Sequence, residues 1–351
     1  MPLKTRIVAE PEAVADALAN VEQDFCLPEI VMDDSTKVIS TGSTLLDLTI
    51  SGTRRHGGGV PGGIIMEVFG PSSAGKTAIL AEMAAYAQVR GGDVRFDDPE
   101  ARLDREYSQI YGMKLKAKNY HRPDTVKQMF AGLWSWEPKP TKRDAINLSC
   151  ADSLAALSTE MEMEDEDKMG MKRAKDFSEG LRKTCRMIAS KNLLIACSNQ
   201  ERDSKDGHPT TPGGKGVPYY ASLRIRVSPV FGQSKITKTK TIRGVKHDYV
   251  VGIRSLCEVK KSSIDVPYRK CPVYIVFGLG IDDVRANLEW YKANQGLTKF
   301  DAVDKNFAFV EDAIAHVEAQ NHEEELRERV ITRWTELQKE LAIIRKPKVR
   351  L

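Results

Sequence analysis

The sequence predicts an α/β fold with a mostly parallel central sheet. Short apolar runs alternate with stretches of helical spacing: IIMEVF (64–69), DVRF (93–96), AINLSCA (145–151) and LLIACS (193–198). Each run ends in polar, acidic or glycine-rich residues, and open α/β sheets bind ligands at the C-terminal ends of their strands. Further runs beyond Ala221, namely LRIRV (223–227), YVVGIRSLCEVKK (249–261) and CPVYIVFG (271–278), extend the sheet, and the texture after Gly280 is helical to the end.

From the N-terminus, AVADALANVEQDF (13–25) has helical spacing, with Val14, Leu18 and Val21 on one face. Pro28 breaks it, IVM (30–32) reads as a short strand, and Asp33-Asp34-Ser35 reads as a linker. Three parts follow: an N-terminal helix and strand (1–37), an α/β core (38–278) and an α-rich C-terminal region with a basic tail (279–351). In the last helix, Leu326, Val330, Trp334, Leu337 and Leu341 recur at three-to-four spacing, which suits core packing.

Composition narrows the class. A chain of 351 residues holds two domains or one large domain with appendages. No apolar run approaches the ~18 residues of a membrane span, and MPLKTRIVAEPEAVADAL lacks a secretory apolar region. Six cysteines without a CxxC pair suit free thiols in a reducing cytoplasm, so a cytoplasmic protein with no membrane partner is expected. The net charge of +4 does not by itself announce nucleic acid. Charge is nevertheless uneven: Glu160–Asp167 is acidic, whereas Lys235–Lys246 and Arg345–Arg350 are basic. The lysines and arginine at 235, 238, 240, 243 and 246 flank an expected hairpin, where they suit phosphate contact or a protected sheet edge.

The first strand runs into Gly70-Pro71-Ser72-Ser73-Ala74-Gly75-Lys76-Thr77, the full G-x-x-x-x-G-K-T pattern, and then into a helix with Ile79, Leu80, Met83 and Ala87 on one face; Gly70 to Ala78 are the expected nucleotide-binding residues. Glycines let the backbone curl so that its N–H groups face phosphate oxygens, and the helix N-terminus adds a favourable dipole. Lys76 suits the β- and γ-phosphates of ATP, and Thr77 suits Mg²⁺. Asp152, at the end of AINLSCAD, is positioned for the same metal through water. DVRFDDPE offers Asp97, Asp98 and Glu100 past another strand, any of which suits a base for an attacking water. Gln200, at the end of the fourth strand, is placed to bond a γ-phosphate and to pass its presence to the polar loop that follows.

These motifs, in this order, resemble the RecA-type recombinases. ISTGSTLLDLTISG (39–52) is similar to that family's entry into its core, VFGPSSAGKT to its phosphate loop and FDDPEARLDREY (96–107) to its catalytic-glutamate segment. ADSLAALSTEMEMEDEDKMG (151–170) resembles its magnesium-site strand and first DNA loop, and SNQ…TTPGGKGVPYYASLRIRV (198–227) its second DNA loop. The resemblance weakens past Gly280. It implies a RecA-like ATPase core, with ATP and Mg²⁺ as cofactors, that assembles as a helical filament on single-stranded DNA and pairs it with double-stranded DNA.

By the same resemblance Glu100 is the water-activating base, Asp104 and Tyr107 contact adenine, and Gln200 is the switch. The first DNA loop spans about 158–170, with Met169, Gly170, Lys172 and Arg173 at its close. The second spans about 201–214, with Arg202, Lys205, His208, Gly213, Gly214 and then Lys215. Residues 1–37 resemble a polymerisation arm. Lys261 matches the first of two lysines that reach a neighbour's ATP; Ser263 stands at the second, with Lys260 as the substitute. Single-strand-binding or loader proteins are expected partners, in a bacterial or phage-infected cytoplasm.

The departures mark a divergent branch of the kind carried by phages and mobile elements. The second loop lacks a bulky apolar wedge, Pro218 replaces an expected basic residue, and Asn147 and Ser149 make a core strand polar. The tail IRKPKVRL is basic where the bacterial housekeeping members carry an acidic one. Two other readings stand beside strand exchange: a filament for which ATP is only a clamp, and a related ring motor.

Overall fold

The computed structural model describes residues 37–160, 171–188, 190–201, 211–212 and 214–343. The chain divides into two units, Met1–Asp34 and Ser35–Leu351, and every described residue lies in the second. The expected arm helix (13–25), its strand (30–32) and the tail from 344 onward lie outside the described residues.

A small antiparallel pair, β1 (Val38–Ile39) with β2 (Val60–Pro61), flanks helix α1 (Thr44–Ser51). The Ser43 side chain caps α1 by accepting from Leu46 N–H, and the helix is buried along its whole length. The main sheet has ten strands. Six run parallel in the order β8 (Leu223–Pro229), β3 (Ile65–Gly70), β7 (Leu193–Gln200), β6 (Asn147–Ala151), β4 (Val94–Asp97) and β5 (Tyr120–His121). The predicted parallel core is therefore present, with its four expected strands as neighbours. Strands β3, β4 and β6 are buried throughout, so polar residues within them such as Glu67, Arg95 and Asn147 must find partners inside the fold.

Beyond β8 the sheet turns antiparallel, through β10 (Val245–Ser262), β11 (Lys270–Val276) and β12 (Gly280–Ile281). Strand β9 (Lys235–Ile242) pairs with the first half of β10 and forms the expected hairpin. Arg243 (φ 51°) and Gly244 (φ 78°) form its two-residue turn, with the positive φ at both positions that a right-twisted hairpin favours. This hairpin is exposed along almost its whole length.

Helix α2 (Lys76–Val89) follows the phosphate loop. It is buried more widely than the face of Ile79, Leu80, Met83 and Ala87, because small alanines at 78, 81, 84 and 85 let other elements close on it. Helices α3 (Arg105–Ile110), α4 (Val126–Ser135), α5 (Met171–Ile188) and the short α6 (Gly216–Tyr220) complete the core. Thr125 and Gln128 form a reciprocal capping box at α4. The polar residue Asn147 in β6 has a structural explanation: its Oδ1 accepts from Asp93 N–H at 2.9 Å and its Nδ2 donates to Lys191 O at 3.0 Å.

The C-terminal region departs from the all-helical expectation. Helix α7 (Asp283–Gln295) is followed by a two-stranded hairpin, β13 (Phe300–Asp301) and β14 (Asn306–Phe307), then α8 (Val310–Gln320) and α9 (Glu323–Glu340). The segment FDAVDKNF supplies an aromatic to each strand and a polar turn between them, a pairing too short to show in helical periodicity. Leu288, Ala302, Ala313, Val317 and Leu326 make a small separate core there. Val330 and Trp334 of α9 pack instead into the main core, as the spacing of that helix predicts, together with Ile331, which the expected face did not include; Leu341, the last residue of that face, is exposed beyond the helix end. The five described cysteines are free thiols, four of them buried. Among the described residues no helix is long and apolar enough to cross a membrane.

Candidate nucleotide site and DNA-facing loops

The phosphate loop is shaped by glycines that nothing else replaces. Gly70 has φ 151°, and a Cβ there would lie 1.9 Å from Val227 O; Gly75 has φ 96°, and a Cβ there would lie 2.2 Å from Ile275 Cδ1. The chain thus curls against β8 and β11 and delivers the backbone N–H groups of the loop to the start of α2. Lys76 Nζ donates to Gly70 O (3.1 Å) and Pro71 O (2.7 Å). Burial lowers the Lys76 pKa, and the carboxylates of Asp152, Glu100 and Glu201 oppose that shift.

A cleft of about 650 Å³ opens over this loop. It gathers Ser72–Ala78, Glu100, Tyr107, Asp152 and Gln200, residues from four strand ends and two helices. Asp152 accepts from the hydroxyls of Ser198 and Thr77, while burial raises its pKa. Thr77 and Asp152 together present hard oxygen donors at one point, the set that Mg²⁺ takes.

The three acidic candidates past β4 separate clearly. Asp97 is buried and held by Arg95 at 3.0 and 2.6 Å, away from the cleft. Asp98 lines the cleft but accepts from Leu103 N–H and the Tyr120 hydroxyl, both at 2.8 Å. Glu100 faces the cleft, with Oε1 accepting from Ser153 Oγ at 2.7 Å and Oε2 paired with Arg102 Nε at 2.8 Å. Asp104 caps α3 by accepting from Tyr107 N–H at 2.6 Å. The Tyr107 hydroxyl accepts from that of Tyr111 at 3.0 Å, so two tyrosines line one wall.

The end of β7 divides its work between two faces, as successive strand residues must. Gln200 Nε2 donates to Ser72 Oγ at 2.7 Å, on the phosphate loop. Asn199 Nδ2 donates to Glu67 Oε1 (2.9 Å) and to Pro212 O (3.0 Å). Glu67 is fully buried in β3 and pairs with Arg224 Nε at 2.5 Å. Glu201, one residue on, pairs bidentately with Arg226. Both ends of the second loop are therefore fixed to the sheet.

The closing end of the second loop segment meets the helix that follows the first. Gly214 (φ 64°) approaches Ala174 of α5 so closely that a Cβ would lie 2.8 Å from the alanine Cβ. Lys172 and Arg173 stand in the first turn of that same helix. Lys172 pairs with Asp176 at 3.7 Å, and Arg173 Nη2 donates to Leu154 O and Ala155 O. Lys215 is exposed at the start of α6. Met169, Gly170, Arg202, Lys205, His208 and Gly213 lie outside the described residues. Lys261 Nζ donates to Pro218 O and Tyr219 O, both at 2.9 Å, and Lys260 pairs with Glu258 at 2.9 Å. The pairing of β10 with β8 shifts register between Val259 and Lys261, which breaks the strict alternation of the two lysines.

Sequence reasoning missed Ser153, Arg102, Tyr111 and the far wall of the cleft, made by Ile253, Ile275 and Phe277. Ser153 follows Asp152 directly, and Arg102 lies two residues from both Glu100 and Asp104. The far wall comes from antiparallel strands distant in sequence and carries no local signal.

A phosphate loop at the ends of parallel strands, beside a buried carboxylate and a strand-end amide, defines a nucleotide-binding α/β core of the P-loop class. The family model of the RecA N-terminal domain matches residues 12–282. Protein RecA of Symbiobacterium thermophilum is 31% identical over 285 residues, covering 78% of this chain and 76% of the relative. Protein RecA of Thermus thermophilus is 31% identical with 78% of each chain covered, and that of Streptococcus agalactiae 31% with 77% and 70%. The chain belongs to the RecA family, as a divergent member.

Proposed function

We propose that this chain is a DNA-dependent ATPase that forms helical filaments on single-stranded DNA and carries out homologous pairing and strand exchange. The observation that carries this reading is the coupling at the end of β7. Gln200 touches the phosphate loop, while Asn199 and Glu201, its neighbours, anchor the second loop. A nucleotide-dependent change at Gln200 therefore acts directly on the root of that loop.

Thr77 and Asp152 would hold Mg²⁺, which supplies charge neutralisation for the phosphates. Lys76 leaves its carbonyl partners for the β- and γ-phosphates. Glu100, oriented by Ser153, takes the proton of the attacking water. Tyr107 and Tyr111 offer ring faces to the base. The closing end of the second loop and the helix that follows the first form one DNA-facing surface, and Lys172 and Lys215 give it positive charge for backbone phosphates. Lys261 is assigned to the neighbouring subunit's nucleotide, and residues 1–37 to the contact between subunits.

The Arg102–Glu100 pair favours one second reading, a filament clamped by ATP and not driven by its turnover, because the guanidinium occupies a carboxylate oxygen that the attacking water would need. One experiment separates them. ATP turnover is measured with and without single-stranded DNA, and joint-molecule formation is followed with a homologous duplex. DNA-stimulated turnover with homology-dependent products supports strand exchange. Filaments with an ATP analogue but negligible turnover support the clamp. Loss of both filaments and turnover refutes the two together.

A further inference from the structure

The C-terminal region carries a cluster that the nucleotide chemistry does not use. Asp304 lies in the turn between β13 and β14, His316 in α8, and His322 at the junction of α8 and α9. One ligand-capable atom from each lies within 4.8 Å of the other two. His316 Nε2 is 2.6 Å from Asp304 Oδ1, and His322 Nδ1 is 3.8 Å from the same oxygen.

A histidine–aspartate hydrogen bond alone would be a common structural tie. It does not account for the second histidine. His322 Nδ1 is buried and has no hydrogen-bond partner, although it faces the carboxylate. Leaving a buried ring nitrogen unpaired costs stability, and a metal ion is a partner that satisfies it. The backbone places both histidines firmly. Asn321 ends α8 at φ 54°, His322 N–H donates to Val317 O, and Leu326 N–H donates back to His322 O. Asp304 is exposed on a turn and is the adjustable member.

We propose that Asp304, His316 and His322 form a binding site for a late first-row divalent ion, Zn²⁺ in the first instance. Two imidazoles and one carboxylate suit Zn²⁺, whereas Mg²⁺ and Ca²⁺ take oxygen ligands. Zinc bonds to nitrogen and carboxylate oxygen are ~2.0–2.2 Å, so a tetrahedral ion holds its ligand atoms roughly 3.3 Å apart. The close pair must widen and the distant one must shorten by about half an ångström, which rotation of Asp304 provides. Solvent at the exposed carboxylate supplies the fourth position. The ion joins the β13–β14 turn to both helices over the small core of Leu288, Ala302, Ala313, Val317 and Leu326. A core this small gains stability from such a staple. This site is separate in place and in metal preference from the nucleotide cleft.

The test titrates Zn²⁺ into the metal-free full chain, in excess Mg²⁺ to occupy oxygen sites, and repeats it with Asp304→Asn, His322→Ala and Cys185→Ser. The last variant removes the one thiol that is exposed among the described residues. One saturable site is expected in the parent and in Cys185→Ser. In the other two, affinity should fall by at least the ~10–100-fold that losing even an outer-shell partner costs. Zn²⁺ should raise the melting midpoint of the parent but not of Asp304→Asn, a surface substitution that leaves the fold intact. Co²⁺ should give ligand-field bands without thiolate charge transfer. Equal affinity across all variants, no saturable site, or a thiolate spectrum overturns the proposal.

Discussion

The parallel and antiparallel halves of the main sheet do different work. Strands β3, β4, β6 and β7 end in Lys76, Glu100, Asp152 and Gln200, or lead directly into them. The antiparallel strands supply to the same cleft only Ile253, Ile275, Val276, Phe277 and Gly278. One half holds polar groups in fixed positions, and the other shapes an apolar wall and extends an exposed hairpin. Parallel strands deliver all their C-terminal ends to one edge, so reactive side chains from distant segments converge. Antiparallel strands alternate direction and cannot do this.

The largest expected effect lies in the first half. Glu100→Gln should reduce ATP turnover by ~10²–10⁴-fold while ATP-dependent DNA binding persists, because the amide keeps its shape but accepts no proton. Steady-state hydrolysis beside single-strand affinity checks this. Unchanged turnover would move the base to Asp98, the other acid in the cleft.

At the seam between the halves, Arg224→Met should cost about 3 kcal/mol of stability, since Glu67 is fully buried and keeps only the Asn199 amide. Urea unfolding measures it, and a loss below about 1 kcal/mol would show that the Arg224 pair is not what holds the Glu67 carboxylate in the fold.

Gln200→Ala should leave ATP binding in place and erase the preference for ATP over ADP in single-strand affinity. Coupling of this kind is ~1–3 kcal/mol, or about 5–150-fold. The comparison must hold salt constant. A variant that keeps the full preference would remove the switch role.

Glu82 of α2 accepts from Ile281 N–H at 3.3 Å, across to the antiparallel half. Burial raises its pKa from the ordinary 4.5 to about 7. The folded state therefore keeps a proton that the unfolded chain releases, and stability falls as pH rises from about 4.5 to about 7. Glu82→Gln should flatten that slope and gain roughly 1–2 kcal/mol at pH 8, after allowing for partial exposure. Melting curves across the pH range decide it.

The smallest effect belongs to the hairpin. Replacing Lys238 and Lys240 with serine should change stability by less than about 0.5 kcal/mol. If the hairpin meets DNA, the salt slope of binding falls by ~0.7–0.9 per lysine; an unaltered slope leaves it as a protected edge.

The contrast between the halves also governed what the sequence disclosed. Gly70–Thr77 is legible because phosphate binding dictates a local backbone path. Asp152 and Gln200 are legible because each follows an apolar run directly. Ile275 was recognisable as a strand residue, but not as a cleft wall, since only the pairing of β11 with β10, and of β10 with β8, brings it there. Glu67 was hidden within an apolar run; its partners Asn199 and Arg224 are more than a hundred residues away. The β13–β14 pair escaped because two-residue strands leave no period to detect.

Asn199 gives the second loop a property that its composition conceals. A single amide grips both the buried carboxylate of Glu67 and the carbonyl of Pro212, so the segment departs and returns at one point. It is topologically a ring and not a tail. The entropy of closing a loop grows as about (3/2)RT ln n, and here folding has already met it. Under the proposed switch, a nucleotide contacting Gln200 would act one residue from that point of closure.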